Sequence, residues 1–312
     1  MKAKITCLAA ALLCLGLLAT TSCSEGASTA GAAPTSSSGV LFGVDSAAST
    51  GRAATETTVS NGASTQTTLG SETDGQATIT VNKVTTGSGS DTVTYYVADV
   101  LLASGTDLQS ALSSGEFGGK TQDTSVIAEE NDATLAINGD FYSARDDGIV
   151  IRNGVLYRDE PARMGLAIYE DGTMKVYDET EVSAEDLLAE GVWNTYSFGP
   201  ALLVEGALGE NLDTYEAEAD AKHPIQGSQP RTGVGIISQN HFVFVVVDGR
   251  DEGYSKGVTL AEFAQIFQDL GCTTAYNLDG GGSSTMYYQG AIVNQPAGRD
   301  NKRAISDILY VK

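Results

Sequence analysis

The stretch Thr274-Ala275-Tyr276-Asn277-Leu278-Asp279-Gly280-Gly281-Gly282-Ser283-Ser284-Thr285 decides the reading of this chain. An apolar strand delivers one carboxylate into a loop almost free of side chains, and three hydroxyls follow. Consecutive glycines are costly to order, so a run of three belongs where φ must be positive or where something must approach the backbone. Bare amides and hydroxyls in such a loop can cradle an anion. A glycine-rich turn between two strands has a similar composition, so the loop acquires meaning only from its surroundings.

Other apolar runs end in the same way. Residues 241–247 run into Asp248-Gly249-Arg250, and residues 134–137 run into Asn138-Gly139-Asp140-Phe141-Tyr142. Pro230-Arg231-Thr232-Gly233 opens a further apolar segment. Three acids, Asp140, Asp248 and Asp279, therefore stand at strand ends. Between the last two, Thr259 and Glu262 form a capping box for a helix over 260–270, in which Leu260, Phe263, Phe267 and Leu270 recur at helical spacing and Gly271 is the stop. If the strands on either side of that helix are parallel, Asp248 and Asp279 leave the same sheet edge. Residues 93–103 read as a strand, 106–112 as a short helix, 164–169 and 174–177 as a hairpin, and Ser183 as the cap of a helix ending at Gly191. The expected fold is α+β, with mixed β-sheets and packed helices in a single catalytic domain.

The N-terminus reads differently. Lys2 and Lys4 precede an apolar core over 5–19, too short for a membrane span of roughly 20 residues, so residues 1–22 are expected to be a signal peptide. Cys23 stands where a bacterial lipoprotein is cleaved and lipidated, the one route by which this chain would touch a membrane. A Ser, Thr, Gly and Ala-rich tether is expected over 23–76, and the catalytic domain over 77–312. Cys7 and Cys14 leave with the signal, which excludes a disulfide framework and leaves Cys272 as a small buried hydrophobe. The formal charge is −22, from 18 basic and 40 acidic residues, with two histidines in all. Such a surface repels nucleic acid. Neither His223, in a loop before Pro224, nor His241, at a strand start, is a candidate for catalysis.

From residue 133 to the C-terminus the chain resembles the phosphodiester glycosidase family. The resemblance rests on Asn138-Gly139-Asp140-Phe141, on Gly148-Ile149-Val150-Ile151-Arg152-Asn153-Gly154, on Phe198-Gly199-Pro200-Ala201-Leu202 and on Pro230-Arg231-Thr232-Gly233-Val234-Gly235. Asp248-Gly249-Arg250, the Asp279 loop, and Arg303 before Ile305-Ser306-Asp307-Ile308 complete it. Asp140 replaces a glycine common in the family, and Gly233 a frequent alanine. The resemblance implies β-sheets with packed helices and cleavage of a sugar from a phosphodiester in a cell-wall, capsular or scavenged glycan, outside the cytoplasm.

That chemistry suits the residues. A phosphate leaves as a stable anion without a general acid, so the site needs a carboxylate at the anomeric carbon and cations on the phosphate. Asp279 is the first candidate for the carboxylate, with Asp248 and Asp140 beside it. Arg231, Arg250 and Arg303 are candidates for the phosphate, since a guanidinium grips two phosphate oxygens at once; Arg299 and Lys302 compete with Arg303. Asn138, Asn277, Gly280, Gly281, Gly282, Ser283 and Ser284 are expected to contact sugar or phosphate. One member of each pair Phe141-Tyr142 and Tyr287-Tyr288 is expected to stack on a sugar ring and the other to join the core. No cofactor is required, although Asp140, Asp146 and Asp147 could bind calcium. Two other readings remain open: a metal-dependent phosphodiesterase, for which two histidines furnish few ligands, and a non-catalytic polysaccharide-binding or assembly factor.

Overall fold

The computed structural model describes residues 57–61, 64–215, 225–298 and 303–312, and the statements that follow concern those residues. The signal peptide, Cys23, His223, Arg299 and Lys302 lie outside them, as does the expected tether up to residue 56.

Strands and helices are numbered in chain order. The largest sheet runs β1 (Thr57–Asn61), β2 (Ser64–Thr73), β3 (Ala77–Thr86), β4 (Val93–Leu102), β15 (His241–Val247), β14 (Arg231–Ser238), β16 (Thr274–Asn277), β12 (Ala201–Val204), β13 (Ala207–Leu208). A second sheet has the order β18 (Ala291–Ile292), β17 (Met286–Tyr288), β6 (Leu135–Asn138), β19 (Asp307–Val311), β5 (Gln109–Leu112). A third runs β10 (Met174–Asp178), β9 (Met164–Tyr169), β11 (Val192–Tyr196), and β7 (Gly148–Arg152) pairs with β8 (Val155–Glu160).

Both faces of β15, in the middle of the largest sheet, are buried, which is why it reads as an unbroken apolar run. Phe242, Phe244 and Val246 enter a core shared with the second and third sheets, through Leu135, Ile137, Leu166, Ile168, Leu309 and Val311. Val243, Val245 and Val247 point the other way, onto helix α3 (Leu260–Asp269). That helix buries Leu260, Phe263, Ala264 and Phe267 and carries the expected Thr259–Glu262 capping box. Two shorter helices, α1 (Thr124–Glu130) and α2 (Ala184–Ala189), cover the outer faces of the second and third sheets, and Ser183 caps α2 through the Asp186 amide.

The expectation of mixed sheets needs correction, and that of packed helices holds in part, through α1, α2 and α3. The protein is mostly β-sheet with few helices, and every strand pairing is antiparallel. The cause lies in strand order: β14 sits between β15 and β16 and is antiparallel to both. The two strands flanking α3 therefore do run the same way, but one strand apart. Asp248 and Asp279 leave the same edge, and Arg231 enters the sheet there on the opposed strand.

Two further expectations fail. Residues 57–61 and 64–73, assigned to the tether, form β1 and β2, where threonine and serine pair across strands (Thr58 with Thr67, Ser71 with Thr80). Residues 106–112 form a turn at Gly105–Asp107, capped by Ser104, and then β5, because pairing with β19 overrides weak local helix propensity. Gly233, by contrast, explains itself. A Cβ there would lie 2.9 Å from the Tyr276 carbonyl oxygen and 3.0 Å from the Phe263 ring, so alanine would require the β16 backbone as well as that ring to shift.

Candidate active site

The Asp279 loop lies where the largest and second sheets meet. Asn138, the last residue of β6, fastens it: its Nδ2 donates to the Asp279 carbonyl (2.7 Å), and its Oδ1 accepts from Thr232 Oγ1 (2.7 Å) and the Thr285 amide (3.1 Å). The Asp279 amide donates to the Gly139 carbonyl (3.3 Å). Asn138, an expected substrate contact, pins two sheet edges to the loop.

The Asp279 carboxylate is buried and paired with Arg303, whose Nη2 lies 2.7 and 2.9 Å from its two oxygens. Burial raises the pKa of Asp279, and Arg303 opposes that rise, helped by Ser283 and the Gly280 amide. Arg303 Nε also donates to Ser283 Oγ (2.8 Å), its Nη2 reaches the Gly280 carbonyl (3.1 Å), and its guanidinium lies 5.3 Å from the centroid of the Phe141 ring. Its side chain is 41% exposed, so this ion pair borders solvent. Arg303 thus braces the carboxylate before it could meet a phosphate.

Gly281 adopts φ +63°, in the left-handed region. A Cβ there would approach Arg250 Nη2 to 3.2 Å, so the Arg250 guanidinium lies directly over the loop. Arg250 Nε and Nη2 donate to Gln229 Oε1 (2.8 and 2.6 Å). Arg231 is deeper. Its Nε donates to the Val258 carbonyl (3.1 Å) and its Nη2 to the carbonyls of Ile225 (2.7 Å) and Gly227 (2.9 Å). Burial, and then the nearby charge of Arg250, lower its pKa to about 10. Among the described residues no carboxylate pairs with Arg231 or Arg250. Arg231 was expected to grip phosphate directly, but much of its fork is engaged by backbone carbonyls.

The glycine amides are only partly open. Gly281 donates to the Pro230 carbonyl, Ser283 to Gly280, and Ser284 to Gly281. Asn277 Nδ2 donates to the Gly199 carbonyl (2.8 Å), whereas Asn277 Oδ1 and Ser284 Oγ are buried without a hydrogen-bond partner. Buried polar atoms are rarely left so in proteins.

The other two acids are held differently. Asp248 accepts from Asn294 Nδ2 (2.8 Å), the Gln295 amide (3.0 Å to each oxygen) and Tyr254 OH (2.9 Å). Burial raises its pKa, and these donors lower it in part. Asn294 also donates to the Ser284 carbonyl (2.9 Å), so Asp248 props the far side of the loop. Asp140 accepts from the Ser197 amide (2.8 Å) and the Phe141 amide (2.7 Å), with Arg152 Nη2 3.6 Å away. Asp248 props the Asp279 loop through Asn294, whereas the Asp140 carboxylate engages the Ser197 and Phe141 amides beside the turn that fastens the loop; of the three acids it is Asp279 that is paired with a half-exposed cation.

Calcium finds no group of ligands. Asp147 pairs with Arg163 (2.6 Å) and Asp140 is engaged by amides, and among the described residues no three acids, histidines or cysteines are grouped to hold a metal. Of the aromatic pairs, Tyr142 joins the core, as expected of one member, and Phe141 is half-buried against the Arg303 guanidinium, whereas Tyr287 and Tyr288 are both buried, on opposite faces of their sheet. Cys272 is buried in the α3 core, with its thiol pushed up to about 12 by burial. His241 pairs with Asp99 (3.0 Å). Two site residues escaped the sequence reading: Arg152 and Asp307, fully buried and joined at 2.6 Å. Both lie in stretches that carried the family resemblance, and a lone arginine within an apolar strand was the available signal.

The site thus consists of a buried carboxylate opening a glycine loop that lies beneath arginines, an arrangement of charge that can meet an anionic ligand. The family model for phosphodiester glycosidase matches residues 131–312, more than half of the chain, and the chain belongs to that family. It is 31% identical over 207 residues, 64% of its length, to the SPbeta prophage-derived uncharacterized protein YomE of Bacillus subtilis, covering 31% of that protein. It is 28% identical over 208 residues, 60% of its length, to the N-acetylglucosamine-1-phosphodiester alpha-N-acetylglucosaminidase of Bos taurus, covering 38% of it. The chain thus spans about a third of the length of these relatives. Its fold is similar to that of the zebrafish N-acetylglucosamine-1-phosphodiester alpha-N-acetylglucosaminidase catalytic domain (TM-score 0.59, 20% identity, 80% of this chain and 88% of that one). A hypothetical protein from Synechocystis shares it too (TM-score 0.53, 14% identity, 83% of this chain and 64% of that one).

Proposed function

We propose that this chain hydrolyses the bond between the anomeric carbon of a sugar and a phosphodiester oxygen, outside the cytoplasm, in a cell-wall, capsular or scavenged glycan. The observation that carries this reading is the pairing of a buried carboxylate, Asp279, with a loop overlain by Arg250, which has no acid partner among the described residues. Arg250, with the charge of Arg231 behind it, holds the phosphate. Asp279 faces the anomeric carbon, where it acts as nucleophile, as base on water, or as stabiliser of the positive charge that develops. As the C–O bond breaks, its electron pair leaves with the phosphate, and water supplies the new hydroxyl of the sugar. Local cations are essential in a chain of formal charge −22, whose overall field opposes anions.

On the same reading the protein is held at the cell surface by a lipid on Cys23, or is secreted after cleavage of residues 1–22. Mass spectrometry of the mature N-terminus distinguishes the two. Incubation with a synthetic sugar-1-phosphodiester and analysis of the released ends test the chemistry. Free reducing sugar with a phosphomonoester is the expected pair. Sugar-1-phosphate would mean cleavage at phosphorus, and intact substrate would favour a binding module.

A further inference from the structure

We propose that Arg152, acting through Asp307, is a positioning residue for the Asp279 carboxylate, an inference that rests on the reading of Asp279 given above. Arg152 closes β7 and is entirely buried. Its Nε donates to Asp307 Oδ2 at 2.6 Å, and its Nη1 donates to the carbonyls of Ile151 (2.9 Å) and Thr195. The guanidinium lies 4.4 Å from the centroid of the Tyr196 ring and 5.7 Å from that of Tyr142. Placing a guanidinium here is expensive unless its partners are fixed.

Those partners lead to the reacting loop in three steps. Asp307, held by Arg152, accepts the Asp140 amide on Oδ1 (2.7 Å), and its backbone carbonyl accepts the Gly139 amide (2.9 Å). The Asn138-Gly139-Asp140 turn is thereby fixed against β19. That turn in turn holds Asp279 from both sides of its backbone, through the Gly139 carbonyl and Asn138 Nδ2. No hydrogen bond or ion pair of Arg152 among the described residues goes to Asp279 itself. The route also accounts for Asp140, whose carboxylate engages the Ser197 amide and lies 3.6 Å from Arg152 Nη2. The guanidinium stands between two buried acids that would otherwise repel each other across the turn.

A group that positions a reacting carboxylate changes turnover more than substrate affinity, because a displacement of about 1 Å can cost on the order of 100-fold in rate. The test uses the full chain as Arg152→Lys and Asp307→Asn, each checked by thermal melting, with two readouts. Hydrogen exchange at the Asp279 amide, measured without substrate, is expected to quicken at least tenfold in both variants while amides in β15 keep their protection. Steady-state kinetics on a sugar phosphodiester are expected to show kcat reduced by about 10- to 100-fold with KM within about twofold, and the double variant to lose little more than either single one. If both variants fold and Asp279 exchanges as slowly as in the wild type, the proposal is overturned, whatever the kinetics. If one variant fails to fold, the other decides. A wild type that shows no turnover would sink the reading of the reaction, while the exchange rates, measured without substrate, would still support or overturn the positioning role.

Discussion

Asp279 and Asp248 leave the same edge of the same sheet, from strands running in the same direction, yet their surroundings differ. Asp248 accepts hydrogen bonds from an amide side chain, a backbone amide and a phenol, all neutral, and those donors belong to segments it holds in place. Asp248 feels the charge of Lys83 without pairing with it, whereas Asp279 is bonded to a cation whose side chain is 41% exposed. A buried carboxylate surrounded by neutral donors is a structural clamp. A carboxylate neutralised by an ion at the solvent boundary can exchange that partner, wholly or in part, for a developing positive charge on a substrate. Burial raises both pKa values, so the shifts do not separate the two acids. Their partners do.

The largest expected effect is on turnover by Asp279→Asn. Removing a group that stabilises transition-state charge costs about 10²–10³-fold in kcat, while the near-isosteric amide keeps the fold. Near wild-type turnover in a folded mutant would exclude this carboxylate from the chemistry. Asp248→Asn should show the opposite profile, with stability reduced by about 1–3 kcal/mol because its new NH2 opposes donors already present. The folded fraction should lose far less kcat than Asp279→Asn does. Denaturant midpoints measured beside kcat on the same preparations check this, and equal kinetic losses would erase the distinction between clamp and reactant.

Arg250→Ala comes next, with kcat/KM on the phosphodiester lowered by the value of a charge-assisted hydrogen bond, about 1.5–3 kcal/mol. The same substitution should leave a neutral aryl glycoside of that sugar almost unaffected. Matched kinetics on the two substrates decide it, since equal losses on both would remove the phosphate from the role assigned to Arg250. Arg231→Ala is a poorer probe, because three backbone carbonyls lose their donor with it.

The smallest effect concerns pH. Asp279 must be ionised to act, and burial raises its pKa, so the acid limb of the kcat profile should lie above the ordinary carboxylate range. Arg303 lowers that pKa; Arg303→Gln should therefore move the limb to higher pH, with less activity at a given mildly acidic pH. A limb moving to lower pH would contradict the pairing.

Much of this was legible along the chain. Helix α3 was readable because its cap, its apolar stripe and its stop are local and agree with one another. The glycine loop was readable because other apolar runs in the chain also end in acids, at Asp248 and Asp140, and the glycines alone would have suited a plain turn equally well. Residues 57–61 and 64–73 were misread because hydroxyl-rich segments carry little periodicity of their own, and 106–112 because β5 is stabilised by β19, about two hundred residues away. Asn138 and Arg231 were identified as site residues, but their contacts depend on which carbonyls lie opposite them.

The sequence by itself determined which residue types stand at the strand ends, the run of glycines, the excess of acids and the few histidines, since these are properties of neighbours along the chain. The tertiary structure alone decided that β14 lies between β15 and β16, that Arg303 rather than Arg231 meets Asp279, and that Arg152 and Asp307 lie behind the Asn138–Asp140 turn. Hydrogen bonds and ion pairs act over a few ångströms, and a side chain's partners are set by the packing of strands that may be a hundred residues apart.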